Sequence, residues 1–413
     1  MKYKIFVWLF LLLGFSAIAS GRQLLTGPFK QYPSIKQALN QSLAGDTVLV
    51  FAGTYKEGNI IIDKPIYFKG TGNPVIDGEL KYEVLSVKSP NVIVEGFTIR
   101  NSGHGSLDDP GGIKVYASNN VIIQNNKIEN NFFGIYIQYS KHCLIRNNYI
   151  ISNATDEQLI GNGIHCWKSD SLQITSNEIQ GHRDGIYFEF VTNSDIFMNH
   201  SKNNIRYGLH FMFSNNDSYV LNTFTGNGAG VAVMFTKNVK MFHNVFEQNW
   251  GDAAYGLLLK EISDSQIAGN KFISNTSGIY MEGTNRIIVT KNSFHQNGWG
   301  MRIQASCMDN IVTKNNFTAN TFDITTNGSL VLNNFDGNYW DKYEGYDLNK
   351  DKKGDVPYHP ISLFSVIVEM NPPAMLLYRS IIVSLLDKSE KLIPSLTPDL
   401  FRDNTPLMRA IEL

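Results

Sequence analysis

Residues 183–249 read RDGIYFEFVTNSDIFMNHSKNNIRYGLHFMFSNNDSYVLNTFTGNGAGVAVMFTKNVKMFHNVFEQN. Within this stretch Gly185, Gly208 and Gly230 each open a run of alternating apolar residues, and Asn199, Asn222 and Asn244 each follow their glycine by 14 positions. Read outward in both directions, the glycine series is Gly112, Gly134, Gly163, Gly185, Gly208, Gly230, Gly256, Gly278 and Gly300, with spacings of 22, 29, 22, 23, 22, 26, 22 and 22. A fixed period of this length is the mark of a solenoid. The asparagine series extends to Asn126, Asn148, Asn177, Asn270 and Asn292; a second column, 19 residues after the glycine, reads Asn131, Asn153, His182, Asn204, Asn227, Asn249, Asn275 and Asn297. Short strands of period two, separated by Asn and Gly turns, predict a coil of about three strands that stacks on the next at roughly 4.8 Å. Asparagine suits the corners because it tolerates left-handed backbone, and stacked amides can bond from coil to coil. The expected fold is all-β: a right-handed parallel β-helix of ~22-residue coils, spanning residues 20–340.

The first residue after each glycine is Ile113, Ile135, Ile164, Ile186, Leu209, Val231, Leu257, Ile279 or Met301, and the third is equally apolar, so both columns face inward. Cys166 and Met281 stand in the third column and read as core rather than as metal ligands. An odd cysteine count, Cys143, Cys166 and Cys307 without C-x-x-C spacing, implies neither a disulfide framework nor a zinc site. A solenoid needs covered ends. Ser34-x-x-Gln37 is a capping box ahead of Ile35, Ala38, Leu39 and Leu43, with Gly45 as the stop, and predicts a short amphipathic helix over the first coil.

Lys plus Arg (36) nearly balances Asp plus Glu (37) in the 413-residue chain, so there is no field for a polyanion and a nucleic-acid partner is not expected. Lys2 and Lys4, the apolar run Ile5 to Leu13 and the small-x-small site Ala17-Ile18-Ala19 read as a secretory signal peptide over residues 1–19, which predicts a soluble, extracytoplasmic mature protein. The run is too short to serve as an anchor.

The second and fourth residues after each glycine point outward. The second-residue column is Lys114, Tyr136, His165, Tyr187, His210, Ala232, Leu258, Tyr280 and Arg302; the fourth is Tyr116, Gln138, Trp167, Glu189, Met212, Met234, Lys260, Glu282 and Gln304. Aromatic, imidazole and thioether groups side by side are unlike a solvated face. They read as a binding face, with Trp167, Tyr187 and Glu189 at its centre. Insertions before Gly163 and Gly256, and the loop His104 to Pro110 before Gly112, leave the rod at one corner beside this face, where solenoids carry their binding side.

Two function classes compete. A polysaccharide-binding or polysaccharide-degrading protein would use the aromatic face, with His182-Arg183-Asp184 as an acid–base corner, although that corner also reads as a plain turn with a local ion pair and no second carboxylate converges on it as glycosidase chemistry needs. A binding or delivery protein fits better: thioethers and imidazoles without paired carboxylates suit Cu(I). His210 and Met212 lie two apart on one strand, Met234 stands on the next coil, and His165 two coils away is the second-rank ligand. The same methionines also read as an adhesive patch for a protein partner.

After residue 340 a polar loop and an apolar tail, residues 341–413, replace the repeat. Asp347, Asn349, Asp351 and Asp355 in DLNKDKKGD place oxygens at alternate positions, as calcium loops do, but without the twelfth-position Glu of an EF-hand; a solvated acidic turn is the other reading. Pro372-Pro373 followed by Ala374 to Leu386 predicts a proline-started helix, too short to span a bilayer, that either docks on a membrane partner or covers the last coil.

The segments GIHCWKSDS, RDGIYFEF, YGLHFMFSNND, GNYWDKYEGYD and NPPAMLLYRS resemble the NosD family of periplasmic proteins required for maturation of nitrous oxide reductase. The likeness covers nearly the whole mature chain, and GIHCW, GLHFMF and the two C-terminal segments are the specific part. It implies a non-catalytic accessory component of an ABC transporter. The implied partners are a permease, an ATPase, a copper-chaperone lipoprotein and apo nitrous oxide reductase, with copper as the cargo and membrane association through a partner only. The chain has no P-loop, so ATP use belongs to a partner.

Overall fold

The computed structural model describes residues 21–104, 109–153, 155–251, 254–328, 332–393 and 401–413. The signal-peptide reading falls outside the described residues. Three parallel sheets of 12, 14 and 13 strands run the length of a right-handed β-helix. In a representative coil, Tyr207–Met212 lies in the 12-stranded glycine sheet, Ser218–Val220 in the 14-stranded sheet and Thr223–Thr225 in the 13-stranded sheet, before Ala229–Met234 resumes the first. The coils stack without slippage: Leu209 faces Val231, His210 faces Ala232 and Met212 faces Met234.

This register follows from burial. The first and third columns after the glycine are fully inside, Cys166 and Met281 among them, and a one-residue slip would turn them all to solvent. Phe224, Phe246, Phe272, Phe294, Phe317 and Trp340 stack face to face in the core at 4.3 to 5.5 Å. The glycines themselves answer to crowding between coils: a Cβ on Gly230 would stand 2.4 Å from the Gly256 carbonyl oxygen and 3.1 Å from Asn249 Nδ2. Backbone on the next coil cannot yield as a side-chain tip does. Gly230→Ala is therefore expected to lower unfolding free energy by about 2 kcal/mol, read as a lower midpoint in urea; an unchanged midpoint would show that the coils can part.

The first asparagine column is a continuous ladder. Each Oδ1 accepts the main-chain N–H and Nδ2 of the rung before it, as from Asn222 to Asn244 at 2.9 and 3.1 Å, and each Nδ2 also donates to a main-chain carbonyl. Buried backbone groups at a corner are thereby satisfied. The left-handed corner is the residue before the ladder, for example Asn125, Met198, Leu221 and His243, while the ladder asparagines point inward. The second ladder runs from Asn204 to Asn320. Asn153 is not part of it: it is exposed where the chain departs into the insertion, and its amide reaches Asn130 among the described residues. His182 takes a ladder position with its ring buried and its main-chain N–H donating to Asn204 Oδ1 at 3.1 Å.

At the N-terminal end, α1 (Ile35–Gln41) covers the first coil, with the Ser34 hydroxyl accepting from Gln37 N–H and the Glu57 carboxylate accepting from Ile35 and Lys36. Ile35, Ala38 and Leu39 are buried; Leu43 is exposed because the helix stops at Gln41, short of Gly45.

The C-terminal end is built differently from the single proline-started helix expected. α2 (Leu363–Met370), unforeseen, packs Phe364 and Val368 against Phe322 of the last coils and is tied by Glu369 to Arg302 at 3.0 Å. A 3-10 turn at Pro372–Leu377 follows, and the chain breaks at Arg379, whose φ is +65°. Ser380 then caps a separate α3 (Ile381–Leu392). Finally residues 401–413 return to the rod: the Phe401 ring packs against Phe335, tilted by 46° at 4.8 Å, and Asp403 and Leu407 bridge to Phe335 and Tyr339. Asp403 accepts from Asn338 N–H and Nδ2, so it is the closing rung of the first asparagine ladder.

Candidate functional site

The outward face of the glycine sheet is less open than its alternation suggests. Lys114, Tyr136, His210 and Leu258 are buried although they point away from the core, because rings from neighbouring coils close over one another. Tyr136 and His165 have ring centroids 4.4 Å apart, His165 and Tyr187 4.9 Å, Tyr187 and His210 4.9 Å. His165 and His210 therefore share a column but not a site, since the Tyr187 ring stands between them. Burial, with the Arg183 charge nearby, pushes the His165 imidazole down to about 3, and its Nδ1 meets Asn162 Nδ2 at 3.0 Å. Burial and the carboxylates of Glu189 and Asp184 push the Tyr187 phenol up to about 12.

In the fourth-residue column Met212 sits in register between Glu189 and Met234, all three partly exposed. The set read from the sequence as a Cu(I) contact is thus on one face, with His210 two residues from Met212. Beside the two methionines stands a feature the sequence reading missed. Phe190, Phe213 and Phe235 occupy the fifth position after their glycines, all left-handed at φ of 51 to 54°, and their partly exposed rings stack at 5.2 and 5.1 Å. Left-handed backbone is rare for bulky residues. The recurrence of Phe at that spacing was the available signal.

Toward the N-terminal coils the same face opens into a groove of about 950 Å³ lined by Glu83, Tyr116, Tyr136, His165, Trp167 and Glu189 among others. The Trp167 ring meets Tyr139 edge-on at 4.9 Å and carries Lys168 Nζ 4.7 Å above it. Glu83, also missed because it precedes the first glycine of the series, supplies a second carboxylate. Both of its oxygens are engaged, one by Ser86 and one by the Tyr116 hydroxyl at 2.8 Å, so it is held as structure rather than left free for acid–base work.

The His182-Arg183-Asp184 corner does not present the acid–base group envisaged for carbohydrate chemistry. The His182 ring faces the interior, where burial lowers it to about 4. Asp184 is fully buried and lies with Oδ2 3.5 Å from His210 Nδ1.

In the acidic loop, Asp347 accepts from Asp351 and Lys352 N–H, Asn349 from Asp351, Asp351 from Lys353 and Asp355 from Leu348. The loop closes on its own backbone. Among the described residues no three His, Cys, Asp or Glu side chains come together as a metal-holding group, in this loop or elsewhere.

Residues 151–345 match the family model described as "Periplasmic copper-binding protein (NosD)", and residues 58–160 match the model of a right-handed β-helix region. A protein of Pseudomonas aeruginosa described as "Probable ABC transporter binding protein NosD" is 28% identical over 380 residues, 87% of each chain. The protein of that description in Stutzerimonas stutzeri is 27% identical over 379 residues, 87% of this chain and 86% of the relative. Among solved structures the Dettilon tailspike protein superposes with a TM-score of 0.57 at 13% identity, over 72% of this chain and 66% of that one, a likeness of fold alone. Over nearly nine-tenths of two relatives so described, and over the coils that carry the His, Met and Trp face, this chain is similar to the NosD family.

Proposed function

We propose that this chain is a periplasmic, non-catalytic accessory component of an ABC-type transporter that passes Cu(I) across the outward face of its glycine sheet toward apo nitrous oxide reductase. The observation that carries the reading is the in-register pair Met212 and Met234 beside His210. Two thioethers and an imidazole prefer Cu(I) to zinc or calcium, and without a thiolate they let the ion go again. All three cysteines are buried and free, so none is offered to the cargo. The family description as periplasmic and copper-binding, and the transporter named in the relatives' descriptions, support the same reading. A copper-chaperone lipoprotein would load the face; a permease with its ATPase would hold the rod at the membrane.

The tail supplies the surface for that hold. α2 and residues 401–413 already cover the last coil, whereas Met370, Leu376, Ile381, Ile382 and Leu392 are 66 to 91% exposed. Among the described residues no helix is long and apolar enough to cross a membrane. An apolar strip of this kind fits a partner or an interface plane. Replacing Leu376, Ile381, Ile382 and Leu385 together by Gln touches only exposed side chains. The melting temperature should hold while co-purification of the permease falls at least about tenfold. Undiminished co-purification would remove the tail from the proposal.

A further inference from the structure

The pairing of Asp184 with His210 is the one buried acid–imidazole contact on the glycine sheet's outward face among the described residues. It joins two coils: Asp184 precedes Gly185, and His210 follows Gly208. Asp184 Oδ1 accepts from Tyr207 N–H at 3.3 Å, which holds the carboxylate, while Oδ2 has no hydrogen-bond partner and lies 3.5 Å from His210 Nδ1. The His210 side chain is 8% exposed. Its ring is clamped by Tyr187 at 4.9 Å and 70° and by Tyr207 at 4.8 Å and 55°, and neither ring nitrogen has a hydrogen-bond partner.

Resting on the copper reading above, we propose that Asp184 is the positioning residue of the site: it fixes His210 as the Nδ1–H tautomer and leaves the Nε2 lone pair for Cu(I). The reason is electrostatic. A neutral imidazole carries one N–H, and if that proton sat on Nε2 the Nδ1 lone pair would face a carboxylate oxygen in a buried setting. The carboxylate therefore selects Nδ1–H, and a slight turn of the ring brings 3.5 Å to hydrogen-bonding distance. Metal-bound imidazoles are commonly oriented by a carboxylate on the far nitrogen, and loss of that partner costs 10- to 100-fold in affinity. The buried, unpartnered Nε2 costs free energy in the empty protein that a soft cation recovers.

The test begins without metal. In protein labelled with 15N-histidine, long-range 1H–15N correlation should show His210 as the Nδ1–H tautomer, with the pattern lost in Asp184→Ala, which removes the acceptor. An Nε2–H pattern in the unaltered protein, or one unchanged in Asp184→Ala, overturns the inference. Chelator competition then measures Cu(I) retention in Asp184→Asn, Asp184→Ala and His210→Gln, with melting curves confirming that each is folded. A 10- to 100-fold loss in the Asp184 variants, Met212 and Met234 being intact, is expected. Loss in His210→Gln with none in the Asp184 variants overturns the positioning role alone, whereas unchanged retention in His210→Gln overturns the copper reading on which it rests.

Discussion

Asp403→Ala should be the most damaging single substitution outside the hydrophobic core, lowering unfolding free energy at the C-terminal end of the rod by about 5 kcal/mol. One carboxylate there accepts five hydrogen bonds: Gly337 and Asn338 N–H at 2.9 Å, Asn338 Nδ2 at 3.2 Å, the Trp340 indole N–H at 3.0 Å and Thr405 N–H at 3.1 Å. Asn338 and Trp340 are buried, so their donors find no water once the carboxylate is gone. Each orphaned buried donor costs about 1–3 kcal/mol. Asp403→Asn keeps an acceptor and the chemistry of the ladder it completes, and should lose less than half as much. Because coils couple only to their neighbours, the damage should concentrate at the end. Hydrogen exchange at residues 334–340 should accelerate strongly while residues 123–151 remain protected. Protection unchanged at both places would mean that the returning segment is not the closing rung.

Asp217→Asn should act in the opposite direction. Asp217 is buried, with Oδ1 accepting from Ser194 N–H at 2.8 Å and Oδ2 without a partner. Burial, reinforced by the charges of Asp195 and Asp170, pushes its carboxyl up to about 8. The folded chain thus keeps a proton that the unfolded chain releases near its ordinary value of 3.8. Between about pH 4 and pH 8 the folded state binds more protons, so stability falls as pH rises, by about 1.4 kcal/mol per unit for this group. Asparagine preserves the Ser194 bond and has no proton to lose. The variant should gain about 5 kcal/mol at pH 7.5 and about 1 kcal/mol at pH 4.5. Urea unfolding of both proteins at the two values isolates the difference; parallel pH profiles would show that Asp217 is ionised in the fold.

Both substitutions fall where the sequence pattern is silent. The glycine and asparagine columns were legible because each repeats one local constraint, crowding at the glycine and unsatisfied backbone at the corner, on nearly every coil. The same regularity assigned Cys166 and Met281 to the core, and Ser34 announced its helix through chemistry three residues long. Asp403 offered no such signal: apart from Thr405 its partners lie 63 to 66 residues upstream, and no period links them. Phe364 and Val368 cap the last coil through contacts with Phe322 that depend on where the polar loop delivers them. Within the site, alternation placed His210, Met212 and Met234 on one face and Tyr187 between His165 and His210 in one column, but not how closely those rings close over one another. It also placed His182 at a corner without showing that the ring turns inward. Asp184 and His210 meet across two coils because a corner residue leans over the strand above it, a direction set by packing rather than by spacing.

The central claim is that the glycine-sheet face holds Cu(I) through its thioethers. Titration of the isolated mature protein with Cu(I) against a competing chelator tests it most directly, comparing the unaltered chain with the double variant Met212→Leu, Met234→Leu, whose side chains match in volume and leave Cys143, Cys166 and Cys307 buried as before. The account predicts one retained Cu(I) per chain in the former and at least about a tenfold weaker hold in the latter. Equal retention by both proteins would contradict it.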